Sequence, residues 1–465
     1  MSALEQAMHA LSQTVAVGIR GTVTEVRGLA LRVADLPAPM GATVRIDPRR
    51  AAPDTPGVPG EVVGFDDDQT IVMPYGSMQG IGRGDPVVVQ QYAQIAGVGE
   101  GLLGRVLGAL GSPIDGGGPL NPTAQRPLNP DAIDPLDRPV IDTPLGVGVR
   151  AIDALLSIGR GQRLGIFAQP GLGKSTLMAQ MARQTEADVS VVALIGERGR
   201  EVRDFIDCQL GPEGLARSVV IAATSDEPAL RRIRAAMLAT AVAEHFRDQG
   251  MDVLLLMDSV TRFCQAQRQA GLAAGEPPAT KGYPPSVFAN LPVLLERSGR
   301  TSKGSITGFY TVLVEGDEVT DPVADATRGI LDGHVQLSRD LANRGHWPAI
   351  DVLASVSRVA PDVTDRQHQA ARREMLRIEH DYRQVEDLKN IGAYTVGSNP
   401  DFDLAIAAHP MIEQFLQQGM REDRAEFAQT RKQLLAMQQQ IQQARQQLAS
   451  QQGRQSPGAA GRQRS

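Results

Sequence analysis

Short apolar runs separated by turn residues dominate the first fifth of the chain. From VGIRGTVTEVRGLALRV to about Tyr92, the runs TVTEV, LALRV, ATVRI, EVVGF and TIVMP favour strands and are divided by Gly, Pro and Asp. This rhythm predicts a small antiparallel β-barrel over residues 20–95. Ahead of it, Leu4, Ala7, Met8 and Leu11 fall at i, i+3, i+4 and i+7, which predicts one short amphipathic helix within residues 1–19. So short a helix is marginal alone, so it either docks on a partner or lies along its own domain. Residues 111–135, GSPIDGGGPLNPTAQRPLNPDAIDP, carry too much Pro and Gly for a continuous helix or central strand and read as a connector. The rhythm then changes. LGIFA, VSVVALIG, SVVIAAT, DVLLLMD and ITGFYTVLV alternate with helical stretches such as PALRRIRAAMLATAVAEHF. Continuous apolar strands between helices predict an α/β domain over residues 96–365, with a mainly parallel sheet covered on both faces. Ligands bind at the carboxyl ends of such strands. From about Thr364 the pattern is helical. Residues 366–425 form a C-terminal helical domain, and residues 426–465 a glutamine-rich tail. In the tail Phe427, Thr430, Leu434, Met437, Ile441, Ala444 and Leu448 give a heptad seam that suits a coiled coil with a partner, the alternative being no structure. The closing GRQSPGAAGRQRS has the composition of a disordered end.

Composition narrows the class of partner. A chain of 465 residues with 42% hydrophobic and 22% charged residues is a soluble globular protein of two or three domains. Aromatics make up only 4% and Trp347 is the sole tryptophan, so stacking surfaces are scarce. The charge balance, 47 basic against 53 acidic residues, gives −6 with no sustained basic stripe. That argues against nucleic acid or a membrane surface and for proteins or small molecules. Cys208 and Cys264 lack metal-ligand spacing and read as reduced, partly buried thiols of a cytosolic protein. No apolar run approaches the ~18–20 residues of a spanning helix, and MSALEQAMHALSQT lacks the basic start of a signal peptide. The chain is therefore expected in the cytoplasm, reaching a membrane only through partners.

One stretch carries specific chemistry. LGIFA runs into AQPGLGKST, residues 168–176, and then into the helical LMAQMARQ, the strand, loop and helix context of a phosphate loop. Here Ala168, Gln169, Pro170, Gly171, Leu172, Gly173, Lys174, Ser175 and Thr176 are the nucleotide-binding candidates. Gly171 and Gly173 let backbone N–H groups approach phosphate, Lys174 reaches the β and γ phosphates, and Ser175 ligates Mg²⁺. Ala168 stands where glycine is usual, and Pro170 lacks one N–H. DVLLLMD ends in Asp258, a carboxylate for the metal, although an aspartate there also suits a helix cap. GERGRE follows VSVVALIG and supplies Glu197, immediately past the strand, as the group that orients water. Glu201, Arg198 and Arg200 read equally well as a solvated charge cluster.

With these residues in place, the sequence resembles the flagellum-specific and type III secretion ATPases, relatives of the catalytic subunit of rotary ATP synthases. The likeness spans about residues 20–420. It rests on IGERGREVRDFI, MDSVTRFCQAQR, GEPPATKGYPPSVFANLPVLLERSG, GSITGFYTVLVEGDEVTDPVADATRGILDGHVQLSR and AIDVLASVSRV in that order. The resemblance implies a β-barrel, a RecA-like P-loop ATPase core and a C-terminal helical domain, assembled as a homohexamer with ATP and Mg²⁺ as ligands. It implies that Glu197 positions the attacking water, that Lys174 and Arg262 contact phosphates, and that Ser175 and Asp258 hold Mg²⁺. Arg358 matches the arginine this family projects into a neighbouring subunit, and such a finger is worth on the order of 10³-fold in rate. Trp347 stands where the family usually has tyrosine against the adenine ring; residue type alone serves a core tryptophan equally.

The implied partners are a regulatory stalk protein at the N-terminal segment, export gate proteins, chaperones and unfolded export substrates. GSITGFYTVLV, EDLKNIGAYTVGSNP and IEQFLQQ resemble the flagellar branch more than the injectisome branch. A rotary synthase subunit and a hexameric RNA translocase are the competing expectations. The second calls for an aromatic, basic N-domain, whereas residues 20–95 hold only Phe65, Tyr75 and Tyr92.

Overall fold

In the computed structural model, the described residues are 18–50, 55–314, 321–420, 422 and 424–455. Leu4, Ala7, Met8 and Leu11 lie outside them, as does the predicted disordered end from residue 456 on, whereas its first three residues, 453–455, close a helix instead. The chain divides into two compact units, residues 1–139 with 188–331, and residues 140–187 with 332–465.

The first unit opens with strands β1 (Arg20–Arg27), β2 (Ala30–Ala34), β3 (Thr43–Ile46), β4 (Val58–Asp66), β5 (Gln69–Pro74) and β6 (Pro86–Gln91). They close into an antiparallel barrel in the order β1-β2-β5-β4-β3-β6. Alternation drives the closure. Val23, Leu31, Val33, Val44, Ile46, Val62, Val72, Val87 and Val89 point to one interior, leaving polar neighbours outside. Gly21 is required where β1 meets β2, because a Cβ there would lie 2.6 Å from the Ala34 carbonyl oxygen. β5 is buried on both faces: Ile71 and Met73, with Ala30 and Tyr75, pack on Leu230 and Ala270 of helices in the same unit.

After the barrel come β7 (Ile95–Val98), β8 (Val106–Gly108) and β9 (Ala124–Pro127). β9 lies within the predicted connector and pairs antiparallel with β7, a ribbon that the surrounding Pro and Gly concealed. The remaining strands in chain order are β10 (Arg163–Ala168), β11 (Val189–Glu197), β12 (Ser218–Thr224), β13 (Asp252–Asp258), β14 (Gly299–Arg300), β15 (Ser305–Leu313), β16 (Gly333–Gln336) and β17 (Val356–Ser357). In the first unit the order is β15-β13-β11-β12-β8, with parallel neighbours throughout and β14 antiparallel on β15. β11 and β13 are buried along nearly their whole length, as their unbroken apolar runs predicted. Helices Ala229–Asp248, Val260–Ala273 and Pro285–Leu295 supply the cover. Cys264 is buried there, which pushes its thiol up to about 12, whereas Cys208 is exposed; neither forms a disulfide.

In the second unit β10 pairs parallel with β16, and β16 antiparallel with β17. Helix Lys174–Gln184 follows β10, and helices Arg366–Asn390, Pro400–Leu416 and Phe427–Gln455 complete the unit. The heptad seam of the tail finds its cover within the chain. Thr430, Leu434, Met437 and Ile441 are buried, and Phe427 lies against the His368 ring. Polar links flank the seam: Arg431 donates to Asp365, Gln438 donates to Glu374 at 3.0 Å, and Arg445 pairs with Glu374.

Asp153 is the most deeply buried acid of this unit. It accepts hydrogen bonds from the backbone N–H groups of Val147 and Gly148, both at 3.0 Å. Burial outweighs these donors, and Glu186 adds repulsion, so its carboxyl is pushed up to about 8. A folded-state value above the unfolded one means that its contribution to stability is fully present below about pH 4 and is lost as pH rises toward 8. Asp153→Asn removes the titration. The stability advantage of the native chain over this variant, from urea midpoints, is expected to shrink between pH 4 and pH 8; a constant difference would refute the assignment.

Candidate nucleotide site

In the second unit, β10 delivers the loop Gln169–Gly173 directly to the first turn of helix Lys174–Gln184. Ala168 is 1% exposed, so the methyl group that replaces glycine is packed in the strand's core and faces no ligand. Pro170 and Gly171 are exposed, whereas Leu172 is buried and anchors the loop. The two glycines are needed for different reasons. Gly171 has φ 84° with no atom within 4 Å of where a Cβ would stand, an open backbone face. Gly173 has φ 75°, and a Cβ there would meet the Trp347 indole at 2.9 Å. No side chain caps this helix, so its N-terminal N–H groups and its field are directed at whatever lies before Gly173. Lys174, Ser175 and Thr176 are half-buried in that first turn.

Trp347 is therefore a loop-lining residue. It is 42% exposed, which removes the core-tryptophan alternative, and its indole edge lies against Gly173. Arg339, which the sequence reading missed, donates from Nε to Gln169 Oε1 at 2.8 Å and props the loop's second residue. Its signal was the Ser338 cap of the short helix Arg339–Asn343 in QLSRD. Arg358 follows β17 and is exposed; its N–H donates to the Asp332 carbonyl at 3.0 Å. Asp332 is itself fixed by a two-pronged bond from Arg163 Nε and Nη2, both at 3.1 Å. The backbone at Arg358 is thus held while its side chain extends into solvent.

The first unit holds the acids. β11 ends in half-buried Glu197 and the neighbouring parallel β13 ends in Asp258, with Leu194 paired to Asp258, so both carboxylates stand at the same end of the sheet. Asp258 is 1% exposed and accepts from Thr311 Oγ1 at 2.8 Å. Ser259, the next residue, caps helix Val260–Ala273 by accepting from the Arg262 N–H, which frees Asp258 from the capping role the sequence allowed. Gly196, at φ 72°, lets Arg262 cross the strand end, since a Cβ would lie 3.0 Å from Arg262 Cβ. Arg198 and Glu201 form an exposed ion pair, the solvated reading of that cluster.

Electrostatics in this unit favour an anion. Arg232 is buried, and burial together with the nearby Arg262 guanidinium lowers its pKa. Among the described residues, the Nε atoms of both arginines are buried without a hydrogen-bond partner. Two such cations are costly side by side, and Glu227 offsets part of that cost.

Comparison with known proteins recognises three consecutive parts of the chain. The nucleotide-binding domain model of the ATP synthase alpha/beta family matches residues 148–357, the family's beta-barrel domain model matches 17–89, and the T3SS EscN ATPase C-terminal domain model matches 364–436. The chain is 52% identical to the flagellum-specific ATP synthase of Bacillus subtilis over 78% of its own length and 83% of the relative's. It is 48% identical to the flagellum-specific ATP synthase of Pseudomonas aeruginosa, covering 93% of this chain and 96% of that one. The type 3 secretion system ATPase of Xanthomonas euvesicatoria is also 48% identical, over 89% and 93% of the two chains. Among solved structures, the assembled ATPase EscN from enteropathogenic E. coli superposes with a TM-score of 0.83 at 42% identity, covering 90% of this chain and 99% of that one. The expected fold, a β-barrel followed by a P-loop ATPase core and C-terminal helices, holds. This chain is an ATP-hydrolysing P-loop enzyme and belongs to the ATP synthase alpha/beta family, among its flagellum-specific and type 3 secretion ATPases.

Proposed function

We propose that the chain works as a homohexamer that hydrolyses Mg²⁺-ATP to energise type III protein export, serving the flagellar branch. The observation that carries this reading is the phosphate loop, with an open backbone face at Gly171 and an uncapped helix start at Gly173. In this reading Lys174 and Arg262 contact phosphates, Trp347 stacks on the adenine, and Glu197 orients the attacking water. Ser175 and Asp258 are the protein ligands of the metal. Their hydroxyl and carboxylate oxygens suit Mg²⁺, which takes one or two protein oxygens and completes its shell with phosphate and water. Among the described residues no group of three or more His, Cys, Asp or Glu side chains could hold a metal ion. Bound by Ser175 and Asp258, Mg²⁺ supplies neutralisation of charge on the phosphates.

Arg358 acts on the nucleotide of a neighbouring copy. Its exposed side chain on a fixed backbone supports that role. The relative EscN has been solved assembled and in complex with its central stalk EscO, which supports a hexamer and a stalk partner for this chain, the latter at residues 1–19. Export gate proteins, chaperones and unfolded cargo are the further partners, met at the cytoplasmic face of the membrane. Among the described residues no helix is long and apolar enough to cross a membrane.

The flagellar reading rests on GSITGFYTVLV, EDLKNIGAYTVGSNP and IEQFLQQ and on flagellum-specific relatives at 48–52% identity. The fold match to EscN and the Xanthomonas relative favour an injectisome as the second reading. Deleting the gene is expected to leave cells without filaments; normal filaments with effector secretion lost would move the chain to the injectisome branch.

Two substitutions test the chemistry. Glu197→Gln is expected to lower ATP turnover by on the order of 10²-fold or more with nucleotide binding retained, read by steady-state hydrolysis beside equilibrium binding. Unchanged turnover would mean a non-catalytic scaffold. Arg358→Ala is expected to cost on the order of 10³-fold, and mixing it with the Glu197 variant should restore part of the activity. Mixtures that stay as inactive as their components would place the arginine's action within its own subunit.

A further inference from the structure

The segment between helices Pro400–Leu416 and Phe427–Gln455 is tied to the nucleotide loop's own surroundings in the second unit. Gln418, 3% exposed, is the centre of the attachment. Its backbone N–H donates to the Trp347 carbonyl at 2.8 Å. Its side-chain oxygen accepts from the Arg150 N–H at 2.9 Å, and its side-chain nitrogen donates to the Gly148 carbonyl at 2.9 Å. The amide thus pairs with residues 148–150 as a neighbouring strand would, satisfying donor and acceptor together. Arg150 returns the clamp, donating to the carbonyls of Phe415 and Gln417 and pairing with Glu422. Arg183 and Gln184, in the last turn of the helix that Lys174 begins, donate to the carbonyls of Met420 and Glu422. This strap therefore grips both the helix behind the phosphate loop and the backbone of the residue whose indole lies on Gly173.

We propose that Gln418 is a positioning residue for base recognition: it fixes the main chain of Trp347, and hence the plane the indole offers to a purine, while leaving phosphate binding to the loop. This rests on the reading of Trp347 as the base-stacking residue. Methionine at 418 would keep length and lose both side-chain bonds, whereas glutamate would keep the bond from Arg150 and set an oxygen against the Gly148 carbonyl.

Equilibrium binding of ATP, GTP and inorganic tripolyphosphate to the full chain separates the parts. Gln418→Met and Gln418→Glu are each expected to weaken ATP by roughly tenfold and to narrow the ATP-over-GTP preference, with tripolyphosphate affinity unchanged. Equal losses for ATP and tripolyphosphate would overturn the proposal, because a merely structural role weakens both. Trp347→Ala, run alongside, tests the underlying reading separately. If it leaves the preference for ATP over GTP intact, the stacking role falls; if it shifts the preference while both Gln418 variants bind as the native chain does, only the positioning role falls.

Discussion

Everything in the second unit depends on one backbone constraint: β10 must become helix Lys174–Gln184 within five residues while turning its N–H groups outward. That path needs positive φ at Gly171 and again at Gly173, a region that costs other residues about 1–2 kcal/mol each. The strand before it is buried from Leu164 to Ala168, so the loop starts from a rigid base. The indole of Trp347 closes the other side, at a distance no side chain on residue 173 could tolerate. Ala168 and Pro170, which look like departures in the bare sequence, lie outside this constraint: one is packed in the core and the other is exposed.

The first unit solves a matching problem with carboxylates. Parallel strands bring Glu197 and Asp258 to one edge because successive strands run the same way, and burial along β11 and β13 fixes their heights through the register Leu194 to Asp258. Asp258 also accepts a hydrogen bond from the Thr311 hydroxyl at 2.8 Å, which fixes the side chain at the strand end. The same unit brings the guanidiniums of Arg232 and Arg262 near each other under partial burial. Burial and this like charge lower the pKa of Arg232, and Glu227 offsets part of the effect.

How far the sequence anticipates this follows from the range of each cause. The phosphate loop is legible because its glycines act within nine residues, and Asp258 and Glu197 are legible because each ends an apolar run. Trp347 is visible as the lone tryptophan, yet its seat on Gly173 is a tertiary approach that no local pattern encodes. Gln418 is the second of two adjacent glutamines in FLQQGMRED, a stretch of no periodic character; only the fold reveals that this one amide is buried and doubly bonded. The tail seam shows the intermediate case. Its period states that Leu434, Met437 and Ile441 must be covered, and the cover proves to be the chain's own residues, including the helix that carries Asp365-capped His368 and Glu374. β9 went unseen because an edge ribbon needs no apolar run to form.

Arg358 shows why exposure and rigidity together are informative. A surface arginine ordinarily contributes within about 1 kcal/mol to its own chain, and ordering so long a side chain costs up to about 2 kcal/mol. Its backbone is fixed within the chain itself: the Arg358 N–H donates to the Asp332 carbonyl beside the antiparallel β16–β17 pair, and Asp332 is held by both prongs of Arg163. The arrangement makes sense when the side chain's partner comes from outside. In the role proposed for Arg358 the main chain is already in place, the remaining cost is a few rotamers, and the gain would be a charge-assisted bond to phosphate oxygens of a neighbouring copy's nucleotide. Such a residue would leave the stability of the lone chain untouched and govern turnover of the assembly, so the two quantities part company at this position as at no residue of the loop itself.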